Sequence, residues 1–422
     1  MRRYVPTQYT SALGEMQKIR FIYQSEAGNA RWGAFGQERR GGMAKKNGRG
    51  RDSEFGREAL SLDQNAMYVA YGQDPLKLGR ALIAASGATT FFRAGRSVAV
   101  KPNLVVAKPA SSGATTHVGF AEAVLEAARD FGVTDLRIIE GSWLGADTRR
   151  AFAAGGYDEL AKRFGAKLVD LRRDKAVRVE FAGEAALVCE SALDVDALVN
   201  LPVLKAHCQT RVTCAIKNLK GCIPDSEKRR YHAEGLMHPI SLLPGLVKTA
   251  FTLVDGICGD LTFEEGGTPI PMYRAFIGAD PLRVDAYAVQ LLGLTPRDVP
   301  YLEMAQRHGL GKAVPGEIKV VGETATVPVD LKGRDGFSRV RHLTRTVQEK
   351  GACSACYGSL VHALNQMDEE RRAIRAPIAI GQGYRGESGE GIGIGRCCSG
   401  FACNVPGCPP DARAIAEMLR AQ

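Results

Sequence analysis

From residue 67 onward, short apolar runs alternate with stretches whose apolar positions recur at helical spacing. The runs MYVAY (67–71), SVAVKP (97–102), LRIIE (136–140), AKLVDL (166–171) and ALVNLPV (197–203) have the length and continuity of strands buried on both faces. Between them, residues 75–86, 118–131 and 149–164 read as helices. In 118–131, Phe120, Val124, Leu125 and Ala128 fall on one side while Glu122, Glu126 and Arg129 fall elsewhere, the pattern of a helix laid against a sheet. The alternation predicts an α/β fold, with a mainly parallel or mixed sheet covered by helices.

Further along, the pattern predicts a helix over 212–221, a loop rich in Pro, Gly and His over 222–245, and strands at FTLVD (251–255) and RAFIGA (274–279). A well-marked helix follows over 281–292. Asp280 precedes it as N-cap, Gly293 ends it, and Val284, Ala288 and Leu291 form its buried stripe. Residues 317–340 read as a short β segment with charged turns. The chain thus divides into a basic head (1–62), an α/β domain (67–340) and a cysteine-rich, metal-binding segment packed on it (341–422).

Composition narrows the function classes. With 422 residues, 45% hydrophobic and 24% charged, the chain can bury a core without disulfide staples. No run of about 18 apolar residues occurs, so no membrane span is expected. The net charge of +10 suggests nucleic acid until it is divided: residues 1–62 hold 12 Lys/Arg against 6 Asp/Glu, leaving only +4 for the rest. That head, through RRGGMAKKNGRGRD around Met43, reads as a disordered tail or as a mis-assigned start, with Met43 or Met67 as the true one. No specific nucleic-acid partner is expected. The eleven cysteines are clustered rather than spread as a disulfide framework, and no secretory h-region is present, which predicts a cytoplasmic protein with reduced thiols.

Six of those cysteines lie in the last 70 residues: Cys353, Cys356, Cys397, Cys398, Cys403 and Cys408. GACSACYGSLVHAL places a CxxC pair at a turn entering a helix, where two thiolates converge and the helix N-terminus favours their ionised form. GIGIGRCCSGFACNVPGCPP supplies the remaining ligands about 40 residues later. Its glycines let backbone N–H groups approach sulfur, and Pro409 and Pro410 follow Cys408 as prolines often follow iron–sulfur ligands. The set points to one [4Fe–4S] cluster on Cys353, Cys356, Cys397 and Cys408, with Cys398 and Cys403 as alternates for the fourth position. Structural zinc is the competing cofactor, although a zinc ribbon repeats CxxC in its second half and this segment does not. The glycines at 389–395 precede cysteines instead of opening a helix in a βαβ unit, so they are not read as a dinucleotide loop.

The second informative stretch is NLPVLKAHCQTRVTCAIKNLKGC (200–222). Its strand ends near Leu204, and Lys205, His207, Arg211, Lys217 and Lys220 follow within 16 residues, at what should be the carboxyl edge of a parallel sheet. With Lys101, Asn103 and Asn218, they are candidates for a carboxylate or phosphate pocket, Lys205 and His207 being the candidate catalytic pair. His232 and His238 lie in the next segment and are possible additions. Cys208, Cys214 and Cys222 with His207 form no compact ligand pattern. Asp255, Asp280 and Asp285 are candidate acid/base groups, though capping accounts for Asp280.

The strings VAVKPNLV (98–105), NLPVLKAH (200–207), AIKNLKG (215–221), Asp255–Gly256 and GADPLRVDAYAVQLLGL (278–294) together resemble the domain of unknown function 362 family. The CSAC and GCPP segments are similar to the cysteine-bearing ending of some of its members. The resemblance covers residues 67–422 and implies an α/β domain in proteins described as iron–sulfur binding, without implying a reaction. The two-cluster ferredoxin pattern is missing here. The leading expectation is a cytoplasmic iron–sulfur oxidoreductase acting on a small anionic substrate or with a redox partner protein. The alternatives are a dehydratase or isomerase using the cluster as Lewis acid, and a non-catalytic binding protein clipped by zinc or a cluster.

Overall fold

The computed structural model describes residues 20–22, 62–262, 268–322, 329–334 and 336–422. Apart from 20–22 and 62, the basic head lies outside the described residues, as do 323–328 and 335 of the segment read as charged turns. Along the chain run β1 (Arg20–Ile22), β2 (Ala66–Tyr71), β3 (Ser97–Pro102), β4 (Asp135–Glu140) and β5 (Lys167–Asp170), then the hairpin of β6 (Ala176–Phe181) and β7 (Glu184–Cys189). After β8 (Ala197–Leu201), a second hairpin joins β9 (Lys205–His207) to β10 (Arg211–Thr213), and β11 (Phe251–Asp260), β12 (Pro269–Gly278) and β13 (Glu317–Val321) complete the larger part.

Nine of these strands form one sheet in the order β1-β13-β2-β12-β11-β8-β3-β4-β5. Every pairing is parallel except those of β12, which runs antiparallel to both β11 and β2. Successive side chains on the central strands enter different cores: Val98 and Val100 of β3 pack on one face and Ala99 on the other, as do Ile138 and Ile139 of β4. This is why the strands read as continuous apolar runs. Helices Pro75–Ser86, Val118–Asp130 and Tyr157–Phe164 cover one face, and Met237–Leu246, Pro281–Leu291 and Pro300–Arg307 cover the other. The expected α/β architecture with a mainly parallel sheet is therefore present.

Local chemistry explains the best-defined elements. Asp74 caps helix Pro75–Ser86 by accepting from the N–H groups of Leu76 and Lys77, and Asp280 does the same for Leu282 and Arg283. Three segments differ from the pattern reading. The stretch 149–164 is two helices, Thr148–Ala154 and Tyr157–Phe164, because Gly155 and Gly156 interrupt it and Gly156 adopts a φ of 76°. The expected helix over 212–221 begins as β10, since Val212 pairs with Ala206 across the hairpin, and only Ala215–Asn218 and the 3-10 turn Leu219–Cys222 are helical. The expected loop over 222–245 is instead helices Asp225–Glu234 and Met237–Leu246; burial of Tyr231, Ile240 and Leu243 outweighs the local signals of Gly235, Pro239 and Pro244.

The cysteine-bearing end contains β14 (Val347–Glu349), β15 (Ile378–Ile380), β16 (Ser388–Ile394) and β17 (Gly400–Val405), an all-parallel sheet in chain order. Helices Ser354–Glu369 and Ala412–Arg420 pack with it around Leu360, Leu364, Ile380, Ile394 and Ile415. Cys208, from the turn between β9 and β10, belongs to this same core. Further stitching comes from Gln209, whose Nε2 donates to the Ala352 carbonyl at 3.0 Å, and Gln382, whose Nε2 donates to the Arg229 carbonyl at 2.8 Å. No described helix is long and apolar enough to cross a membrane.

Candidate functional site

The sheet order places β3 between β4 and β8. The chain leaves β3 for β4 on one side and later returns to β8 on the other, so the carboxyl ends of β3 and β8 diverge around a crevice. Lys101 on β3, Glu140 at the end of β4 and Asn200 on β8 all lie there, and Asn218 comes down on them from the helix Ala215–Asn218.

These side chains form a buried polar network. The Lys101 ammonium donates to both oxygens of Glu140 at 3.0 Å, to the Pro102 carbonyl at 3.0 Å and to Asn218 Oδ1 at 3.2 Å. Glu140 also accepts from the backbone N–H of Leu104 at 2.9 Å and of Gly141 at 2.7 Å. Asn103 Nδ2 donates to Asn218 Oδ1 at 2.8 Å, and Asn218 Nδ2 donates to Asn200 Oδ1 at 2.8 Å. Gly221 passes over the ion pair so closely that a β-carbon would stand 2.3 Å from Glu140 Oε1 and 2.6 Å from Lys101 Cε. Glycine is required there by contact, not by turn geometry.

Beside the network is a cavity of about 60 Å³. Of the candidate substrate-binding residues, Lys101, Asn103, Lys217, Asn218 and Lys220 line it, joined by Lys228 and His232. Lys217 donates to Thr213 Oγ1 at 3.2 Å. Lys228 donates to the carbonyls of Gly141 and Ser142 and to Asp225, and burial lowers its pKa. His232 is buried, and burial followed by the nearby Lys220 holds it well below the ordinary imidazole value. Its neutral ring therefore presents Nε2 as acceptor, 2.9 Å from Lys220 Nζ and 3.4 Å from the Ser354 backbone N.

The candidate catalytic pair is placed differently. Lys205 lies behind the wall, its ammonium donating to Asn103 Oδ1 and to the Ala114 carbonyl at 2.8 Å each. His207 is buried in the β9–β10 hairpin, where Nδ1 accepts from the backbone N–H of Gln209 at 2.9 Å and of Thr210 at 3.2 Å. Neither is among the residues lining the cavity. His238 pairs with Glu184 at the surface.

A second cavity adjoins the first, and Cys353 lines both. Cys353, Cys356, Cys397 and Cys408 line it together with Arg229, Arg385 and Arg396. Burial pushes the thiols of Cys353 and Cys356 up. The Arg385 guanidinium is held above its ordinary value by a hydrogen bond to the Cys397 sulfur. The two alternates are elsewhere: Cys398 is buried with Ala379 and Tyr384, and Cys403 is half-buried against the core of the cysteine-bearing part. Cys408 precedes a cis proline and lies over Gly145, where a β-carbon would stand 2.3 Å from Pro409 Cδ. As the side chains stand, no group of three or more His, Cys, Asp or Glu among the described residues is placed to hold a metal ion.

One pair escaped the sequence reading. Asp255, fully buried on β11, accepts from the His117 backbone N–H at 2.7 Å and lies 2.8 Å from His117 Nδ1. Burial lowers the imidazole pKa, and the charge and hydrogen bond of Asp255 outweigh this, leaving it raised. Asp255 stands out beside Gly256, but nothing near His117 in the chain signals a partner 138 residues away. Asp285 is likewise absorbed by structure: it accepts from Ala215 N at 2.6 Å and Ile216 N at 3.1 Å.

Residues 98–290 match the family described as Domain of unknown function (DUF362). The chain is 25% identical over 264 residues to the thylakoid-associated protein sll1697 of Synechocystis sp., an alignment covering 60% of this chain and 80% of that protein. Among solved structures, the lactate racemase apoprotein from Thermoanaerobacterium thermosaccharolyticum aligns with a TM-score of 0.36 and 15% identity, over 50% of this chain and 54% of that one.

Proposed function

We propose that this protein binds one [4Fe–4S] cluster through Cys353, Cys356, Cys397 and Cys408 and carries out redox chemistry on a small anion held in the adjoining lysine-lined cavity. The observation that carries this reading is the position of Cys353, in the wall of both cavities. The donor set suits the cofactor. Four cysteines line one cavity, the number of thiolates that holds a cubane with one on each iron, and the second half of the segment lacks the CxxC repeat of a zinc ribbon. Arg229, Arg385 and Arg396 offset the negative charge of thiolate ligands.

A cluster in this position would supply one-electron transfer. The surrounding residues bind and orient: Lys217 and Lys220 attract the anion, and His232 fixes Lys220 while also accepting from the backbone at Ser354. A set of four thiols favours electron transfer over the Lewis-acid alternative, which needs one iron without a protein ligand. Lys205 acts in this reading as a positioning residue, holding Asn103 from behind.

Anaerobic reconstitution with iron and sulfide tests the cofactor. The expected product is brown, with a broad visible band that bleaches on reduction and iron and sulfide in equal amounts. C353S, C356S, C397S and C408S should each lose most of that band, whereas C398S and C403S should keep it. A colourless protein, or C397S retaining a full complement while C398S loses it, would overturn the assignment.

A further inference from the structure

The lysine-lined cavity has two unlike walls. Its charged lining, among the described residues, is Lys101, Lys217, Lys220 and Lys228 against the single carboxylate Glu140. Its apolar lining is Val105, Trp143, Leu144 and Ala355. A volume of about 60 Å³, at about 10–15 Å³ for each water-sized probe, has room for about four to six such positions.

From this size and asymmetry we propose that the cavity takes a carboxylate of about four to six heavy atoms with a short apolar body, its carboxylate at Lys217 and Lys220 and its body against Trp143. The proposal rests on reading the cavity as an anion site and is independent of the cluster. Two features favour carboxylate over phosphate. An inorganic oxyanion leaves the apolar wall without a counterpart. Backbone donors at the nearby helix starts that could cradle a phosphate have other partners. Ala215 N and Ile216 N donate to Asp285, and Ser354 N points to His232 Nε2. Lysine ammoniums are compact rotatable donors and supply the charge for either oxyanion. The small interior disfavours nucleotides and tricarboxylates, most of whose atoms would lie outside it.

The test is calorimetric titration of the purified full chain with acetate, propionate, lactate, citrate, inorganic phosphate and adenosine monophosphate, repeated on protein with and without bound iron. Trp143 fluorescence provides a second signal, assigned by its loss in W143F. Propionate and lactate should bind, citrate and the nucleotide should bind at least 10-fold more weakly, and K220M should weaken propionate by about 10-fold. K217M is the second variant, with circular dichroism verifying its fold. Phosphate binding more tightly than every carboxylate would overturn this proposal and leave the anion reading standing. Binding of no anion at all would overturn both. Carboxylate binding unchanged in folded K217M and K220M would overturn the placement of the head group.

Discussion

Replacing Glu140 by Gln should be among the most damaging single changes in the sheet's carboxyl edge. Lys101 is fully buried, and both Glu140 oxygens lie 3.0 Å from its ammonium. At that separation and an effective dielectric of about 20, the gross attraction is about 5–6 kcal/mol. Removing the negative charge leaves a buried cation with neutral acceptors alone, the new amide oxygen, the Pro102 carbonyl and Asn218 Oδ1, and breaking such a pair costs about 3–5 kcal/mol. The amide also turns a donor toward either Leu104 N or Gly141 N, both of which donate to the native carboxylate. K101M should fall at the lower end of the same range, because the carboxylate it strands keeps those two backbone donors. The double variant K101M/E140Q should lose about 2 kcal/mol less than the sum of the two. Urea titrations followed by far-ultraviolet circular dichroism measure all three, read as midpoint shifts at constant slope. If E140Q shifts stability by less than about 1 kcal/mol, or if the two losses simply add, the ion pair does not hold this edge together.

Two pH effects follow from buried carboxyl groups. Burial holds Asp285 up at about 7, so folding favours its protonated form. That contribution is complete below the ordinary value of 3.8 and fades as pH rises to about 7, about 4 kcal/mol in total by order of magnitude. The stability difference between wild type and D285N should therefore vary over this window and level off above it; a difference constant with pH would refute the account. For His117, the raised pKa depends on Asp255. D255N should drop the imidazole below 6.5 through burial alone, as read by nuclear magnetic resonance titration of its ring protons, and an unmoved titration would exclude the pairing. Because the native value is raised, His117 contributes stability below its unfolded pKa that is lost as pH rises through the folded one.

The sequence determined what depends on neighbours along the chain. Buried parallel strands announce themselves as apolar runs, so β3 was legible to the residue, and the Asp280 cap was visible because cap and helix are adjacent. The concentration of cysteines and the cluster of lysines after β8 were equally plain. Tertiary structure decided the rest, because the relevant partners are distant in the chain. Spacing does not separate Cys397 from Cys398, yet packing directs one to the four-thiol cavity and the other into a small apolar cluster. Lys205 and His207 looked like reactive groups and are not among the residues lining the cavity, while His232, in a stretch that read as loop, reaches it because Tyr231 anchors its helix in the core. Only the docking of helix Ser354–Glu369 against the crevice brings Cys353 to the lysines, a contact set by buried area between elements more than 100 residues apart, which no local pattern encodes.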